Sequence, residues 1–189
     1  MTTQNKLRQI TSGIGSHHSI NDTAHTNKSH ISILRLENTE GKIFDKICQW
    51  NYEWWGTRDG YTIDEVKFNM CHSLCTGCRM PQTFVAISDG EPLGMYQISM
   101  SDDLPSRPDI YPWLINVYVE ESARGTGVCK AMMNTVAENA SKIGISEIYL
   151  YTRHIGLYEK YGWEFVDFVP TFRKDSPIER LYRLKINLK

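Results

Sequence analysis

No apolar run in this chain approaches the ~18 residues that a membrane-spanning helix needs, so a membrane partner is not expected. The opening stretch MTTQNKLRQITSGIGSHHS lacks the apolar core of a secretory signal. It is basic and nearly free of acids, as transit peptides are, but it lacks their arginine richness. A dominant charge is missing too. Lys and Arg number 21 against 22 Asp and Glu, a net charge of −1, so no overall field draws the chain to nucleic acid. An even set of cysteines is also absent. The five, at 48, 71, 75, 78 and 129, favour reduced thiols and a cytoplasmic protein over a disulfide framework. There is no internal repeat, and no linker after residue 30.

What remains is ordinary globular material: 189 residues, 41% hydrophobic and 23% charged, enough for one domain with a sizeable core. Residues 1–29 show neither helical nor strand periodicity and are expected to form a flexible polar arm before a domain at 30–189. HISILRL suggests a first strand. Ile43, Ile47, Trp50 and Trp54 mark an amphipathic helix from Glu40 to Trp55, closed by Gly56, and Val66, Met70 and Leu74 mark a second from about Ile63 to Cys75. QTFVAIS and GMYQISMS read as a hairpin around the turn SDGEPLG, and PWLINVYV as a strand after a loop. Val128 to Ile143 reads as a helix stopped by Gly144. The strand SEIYLYT, the short helix GLYEKYG and the strands WEFVDFV and ERLYRLKI complete the chain. The order is β-α-α-β-β-β-α-β-α-β-β.

The chemistry gathers at RGTG, Arg124 to Gly127, between PWLINVYV and the helix that begins VCKAMM. Backbone N–H groups at a helix start can converge on an anion, and glycine allows a phosphate to approach the main chain. Neither common phosphate fingerprint is present; G-x-G-x-x-G would need glycine at Lys130. On these residues alone, a phosphate cradle and a plain turn before a helix stand level.

Taken with its neighbours, the segment resembles the GCN5-related N-acetyltransferases. Their pyrophosphate loop reads Q/R-x-x-G-x-G/A, and Arg124, Gly127 and Cys129 fall at its three fixed places. LYEKYGW, Leu157 to Trp163, resembles their second signature, a short aromatic helix with a tyrosine four residues before glycine. The resemblance spans about residues 30 to 189, and the element order is the family's. It departs at Cys129, which is larger than Gly or Ala, and at TRHIG, which lacks the asparagine that many members carry there.

The resemblance implies an α/β fold with a mixed, mostly antiparallel sheet, helices on both faces, and a splay between strands four and five. It implies acetyl transfer from acetyl-CoA to a primary amine of a small molecule or peptide, without a metal. Ile115, Val117 and Val119 would pair with pantetheine through their backbones, at a bulge or splay between Ile115 and Val119. The main chain of Arg124, Gly125, Thr126, Gly127, Val128, Cys129 and Lys130 would hold the pyrophosphate. Lys130 or Arg153 could meet the ribose phosphate, against a solvated role for either. Tyr158 would contact the cofactor and protonate the departing thiolate as general acid; by residue type alone a core tyrosine is the favoured reading, and the motif register reverses that. Asp109 is the first candidate for the base, ahead of Asp102, Asp103 and Glu53, with a water chain as the other route. A homodimer is compatible with the sequence.

CHSLCTGC, Cys71 to Cys78, offers C-x3-C-x2-C and His72 but no second knuckle for a zinc site. Cys71 and Cys75 are four apart, as buried small residues of one helix would be. Two other classes therefore stand beside the enzyme: a non-catalytic acyl-CoA-binding regulatory module, and a zinc-stabilised interaction domain.

Overall fold

Apolar residues dominate QTFVAIS and EPLGMYQIS because both strands they form are covered on both faces. These are β2 (Gln82–Ser88) and β3 (Glu91–Ser99), in a structure that is a computed structural model. It describes residues 30–188 except 73, 75–79 and 103. The expected arm at 1–29, Asp103, Cys75 and Cys78 lie outside the described residues. β2 and β3 meet in a two-residue turn at Asp89 and Gly90, whose φ values of 51° and 78° are the positive pair that such a turn demands. The turn is shorter than SDGEPLG suggests, because Glu91 and Pro92 already pair with β2.

The sheet has seven strands in the order β1-β2-β3-β4-β5-β7-β6, with β1 at Ser32–Arg35 and β4 at Trp113–Val119. β5 is Glu147–Thr152, β6 Glu164–Pro170 and β7 Ile178–Lys185. Neighbours are antiparallel except β4 and β5, which run parallel. On one face lie α1 (Lys42–Asn51) and α3 (Ile63–His72), packing Phe44, Ile47, Trp50 and Met70 onto Val85, Met95 and Tyr118. On the other, α4 (Val128–Lys142) sets Val128, Met132 and Val136 against Phe84, Tyr96 and Ile98. Each fully buried large side chain stabilises by roughly 1.5–3 kcal/mol, so these two layers carry the fold.

The first helix does not stop at Gly56. α1 continues through a π-helical stretch, Tyr52–Gly56, into a last turn, α2 (Thr57–Asp59), and ends at Gly60, whose φ of 81° is left-handed. Gly56 instead serves close packing: a Cβ there would come within 2.9 Å of Val66 Cγ2. The second helix starts on a reciprocal cap. Thr62 N–H donates to Glu65 Oε2 at 2.8 Å, and Glu65 N–H to Thr62 Oγ1 at 3.2 Å. It ends at His72, short of Cys75, and Cys71 is exposed rather than buried. Among the described residues no helix is long and apolar enough to cross a membrane, and no cluster of potential metal ligands occurs.

Candidate active site

Asn116 interrupts an otherwise apolar strand, and the strand is irregular there. Met95 stands opposite Tyr118 and Gln97 opposite Ile115, so Tyr96 of β3 faces two residues of β4, Asn116 and Val117. Asn116 has φ 51°, a left-handed conformation that asparagine tolerates better than most side chains. The extra residue reverses the alternation. Leu114 packs on the α4 face, while Tyr118, four residues later, packs under α1.

β4 also parts from β5. Trp113 and Tyr149 are their one Cα pair, supported by Tyr149 N–H donating to Pro112 O at 3.0 Å; beyond them the strands diverge. The gap opens into a cleft of about 560 Å³. Ile115, Asn116 and Val117 line it on one side, and Leu150, Thr152 and Tyr158 on the other. Its outer wall comes from the π-helical turn (Trp54, Trp55), from Tyr61 beyond it, and from the β6–β7 connection (Phe172, Arg173, Ser176). Charges on this wall come in pairs: Arg58 with Asp59 at 3.4 Å, Arg153 with Asp175 at 3.7 Å, and Arg173 with Glu179 at 3.6 Å. The first two pairs are at least partly solvated and contribute little to stability, about 0–1 kcal/mol each. Glu179 differs. It is 2% exposed, and its Oε1 is buried with no hydrogen-bond partner.

At the far end of β4, the chain makes a short 3-10 turn (Glu121–Ala123) and enters the glycine loop. Gly125 and Gly127 have φ of 81° and 98°, and a Cβ on either would meet nothing within 4 Å. Both glycines are therefore required by backbone conformation, and the space beside them is open. Gly127 caps α4, whose first-turn N–H groups have no intrahelical acceptors. Arg124 is exposed: its Nε donates to Val119 O at 3.2 Å, its Nη1 pairs with Glu121 at 3.3 Å, and its guanidinium lies 5.8 Å from the Trp54 ring centre. Lys130 is exposed on the first turn of α4. The Cys129 side chain packs into the α4-face core and faces Tyr161, and burial pushes its thiol pKa up.

Tyr158 precedes a 3-10 turn, Glu159–Tyr161, that stands where a short helix was expected. Its ring is 6% exposed, held edge-on by Trp163 at 5.9 Å and tilted against Tyr182 at 6.3 Å. Burial, with a smaller contribution from Cys129, raises its phenol pKa well above the ordinary value near 10. It is at once a packed residue and a wall of the cleft.

The carboxylates expected before β4 separate. Asp102 lines the cleft. Asp109 does not: it is exposed, and both its oxygens are forked by Arg107, from Nε at 3.1 Å and Nη2 at 3.0 Å. That pairing holds its pKa below the usual range. A base needs to reach the substrate and to gain a proton, so Asp109 has neither position nor basicity in its favour. Glu53 accepts from Gln49 Nε2 at 2.7 Å on the exposed side of α1's extension and is likewise not part of the cleft wall. Four residues that line the cleft, Asn116, Trp54, Arg173 and Glu179, were not named as site residues from the sequence. Only Asn116 left a local signal, a polar residue within WLI-VYV.

A sequence model of the acetyltransferase (GNAT) family matches residues 42–163. Solved structures match over nearly their whole length. The RimL ribosomal L7/L12 alpha-N-protein acetyltransferase in complex with coenzyme A superposes with a TM-score of 0.64 at 10% identity, covering 84% of this chain and 96% of that one. An aminoglycoside 6'-N-acetyltransferase complexed with coenzyme A gives 0.61 at 14%, covering 84% and 98%. A GNAT family acetyltransferase from Elizabethkingia anophelis with acetyl-CoA bound gives 0.57 at 16%, covering 82% and 98%. A search of curated proteins by sequence gives no match. At these identities the structural likenesses speak for the fold, and the sequence match speaks for the family: this chain belongs to the acetyltransferase (GNAT) family.

Proposed function

We propose that this protein transfers an acetyl group from acetyl-CoA directly to a primary amine of a small molecule or peptide, with Tyr158 as the proton donor. The observation that carries the reading is the place of Tyr158, buried yet lining the cleft between the diverging β4 and β5. The glycine loop supports the cofactor half of it. Gly125 and Gly127 leave open space beside the main chain, and the first-turn amides of α4 present N–H groups and a helix dipole to an anion there. Arg124, Thr126, Val128, Cys129 and Lys130 would contribute to the pyrophosphate site, the backbone more than the side chains. The backbone of Ile115, Val117 and Val119 would pair with the pantetheine arm as an added strand pairs with an edge.

In the reaction, the amine nitrogen bonds to the thioester carbonyl carbon and the C–S bond breaks. Tyr158 gives its proton to the leaving thiolate. A phenol with an ordinary pKa near 10 is already protonated at neutral pH, as a donor must be, and burial moves Tyr158 further in that direction. The proton shed by the amine leaves through water, and the tyrosinate regains one by the same route. No carboxylate is assigned as base.

Structural neighbours are named for two different kinds of amine acceptor, an aminoglycoside and an alpha-N-protein group. The test couples acetyl-CoA binding, followed by melting temperature, to thiol release with polyamines, aminoglycosides, amino acids and peptide N-termini. Binding only the folded state, acetyl-CoA should raise the melting temperature. No shift at millimolar acetyl-CoA would overturn the proposal. Binding with no thiol release from any amine would favour a non-catalytic acyl-CoA-binding module.

A further inference from the structure

Gln97 stands out in β3 as a buried amide on the sheet face that α1 and α3 cover with apolar side chains. A methionine would fill the same volume without a polar group to satisfy, whereas an amide there costs stability unless its hydrogen bonds are made. They are made in a line across three strands. Gln97 Nε2 donates to Thr83 Oγ1 of β2 at 2.8 Å and faces Met70 Sδ of α3 at 3.6 Å. Gln97 Oε1 accepts from Asn116 Nδ2 of β4 at 2.5 Å. Thr83 and Gln97 are direct cross-strand partners, and Gln97 is opposite Ile115, the residue at which the register of β4 begins to slip.

The far end of this line is the residue whose backbone makes the bulge. A non-glycine residue in the left-handed region is held there at a cost, and the side-chain bond that Asn116 makes in that conformation offsets it. Resting on the acetyl-CoA reading, we infer that Gln97 is a positioning residue for acetyl-CoA: its amide holds Asn116 left-handed and so keeps β4 bulged before the ligand arrives. Gln97 also reaches the cleft wall, but both ends of its amide are taken by Thr83 and Asn116, so it acts through the bulge. Without it, the free strand relaxes toward regular pairing with β3, and binding has to rebuild the bulge, which lowers apparent affinity by the fraction of chains that are bulged.

A double-mutant cycle on acetyl-CoA affinity tests this, with the melting temperature of each variant as the folding control. Asn116→Ala loses the amide and disfavours the left-handed region, and weakens binding about tenfold, the factor expected for a left-handed penalty near its mid-range. Asn116→Gly adopts positive φ without help and recovers most of that loss. Gln97→Met, which keeps volume, weakens binding about tenfold alone but less than about threefold when added to Asn116→Gly, because glycine no longer needs the bond. A purely structural role for Gln97 would give the same loss in both backgrounds, and that result overturns the inference. If Gln97→Met fails to fold, the Asn116 pair decides: equal affinities for the Ala and Gly variants overturn it. Failure of the wild type to bind acetyl-CoA overturns the functional reading and this inference with it, whereas wild-type binding with unchanged variants overturns the inference alone.

Discussion

Trp113 and Tyr149 sit side by side at the last point where the two parallel strands touch, their rings 6.2 Å apart and tilted. The bulge at Asn116, the cleft wall at Tyr158 and the glycine loop beyond Val119 all lie on the open side of that pair. The apex is itself buried among Leu104, Ile110, Val169 and Leu181, which fixes where the opening begins.

Tyr158→Phe keeps the ring between Trp163 and Tyr182 and removes the proton. The loss should fall on kcat by about 10²–10⁴-fold, with acetyl-CoA affinity nearly kept. Since burial raises the phenol's pKa, its ionisation limits the rate only at pH above the ordinary value near 10. Steady-state kinetics across pH, with whichever amine proves active, check both statements. An unchanged kcat would leave Tyr158 a packing residue.

Gly127→Asp should weaken acetyl-CoA binding by more than about tenfold, combining a side chain at φ 98° with a carboxylate at the anion-binding end of α4. Gly127→Asn carries the same shape without the charge and should lose less. The gap between them should narrow as salt rises, read by calorimetry at two ionic strengths.

Cys129→Ala should bind acetyl-CoA within about twofold of the wild type, because the thiol faces Tyr161 and the core while only the backbone serves the loop. A modest fall in melting temperature would report the lost packing. Abolished binding would mean that the sulfur points to the ligand.

Stability should decline in alkali. Burial pushes the Cys48 thiol up to about 12 from 9.0 and the Tyr96 phenol up to about 12 from 10.0, and Tyr158 rises as well. All three are raised, so from about pH 9 upward the unfolded chain gives up protons that the folded chain still holds. Folding stability is then lost progressively as pH climbs toward the folded values. Urea midpoints between pH 8 and pH 11 should fall, and Tyr96→Phe should fall less steeply. A flat profile would contradict the burial of these groups.

Features set by neighbouring residues were legible in the sequence. DG between two apolar runs marked a hairpin, G-T-G before a 3.6-residue pattern marked a helix start, and the tyrosine register pointed to Tyr158, which lines the cleft. Gly56 misled because two glycines lie close together, and the one that meets Val66 is not the one that turns left-handed. Asp109 misled because crowding in sequence is not convergence in space: Arg107, two residues away, takes its carboxylate. The outer wall of the cleft was out of reach, since Trp54, Arg173 and Glu179 meet it through long-range packing. No local pattern records that the last strand will bury a carboxylate beside an arginine of the preceding loop.

The extra residue in β4 also sets how the gene tolerates length changes. Deleting one codon at Asn116 would let Val117 pair with Tyr96 in regular register while Tyr118 kept its place opposite Met95 and beside Trp50 and Trp54, so the strand would lose its bulge but keep its faces. In the connection before β4 a deletion would also matter where it reaches Leu104 or Ile110, which are buried at the apex. Loss of Asn116 alone should therefore be survivable for folding, whereas loss of Asn116 and Val117 together would turn Tyr118 to the other face, a contrast that a deletion scan with a folding reporter would expose.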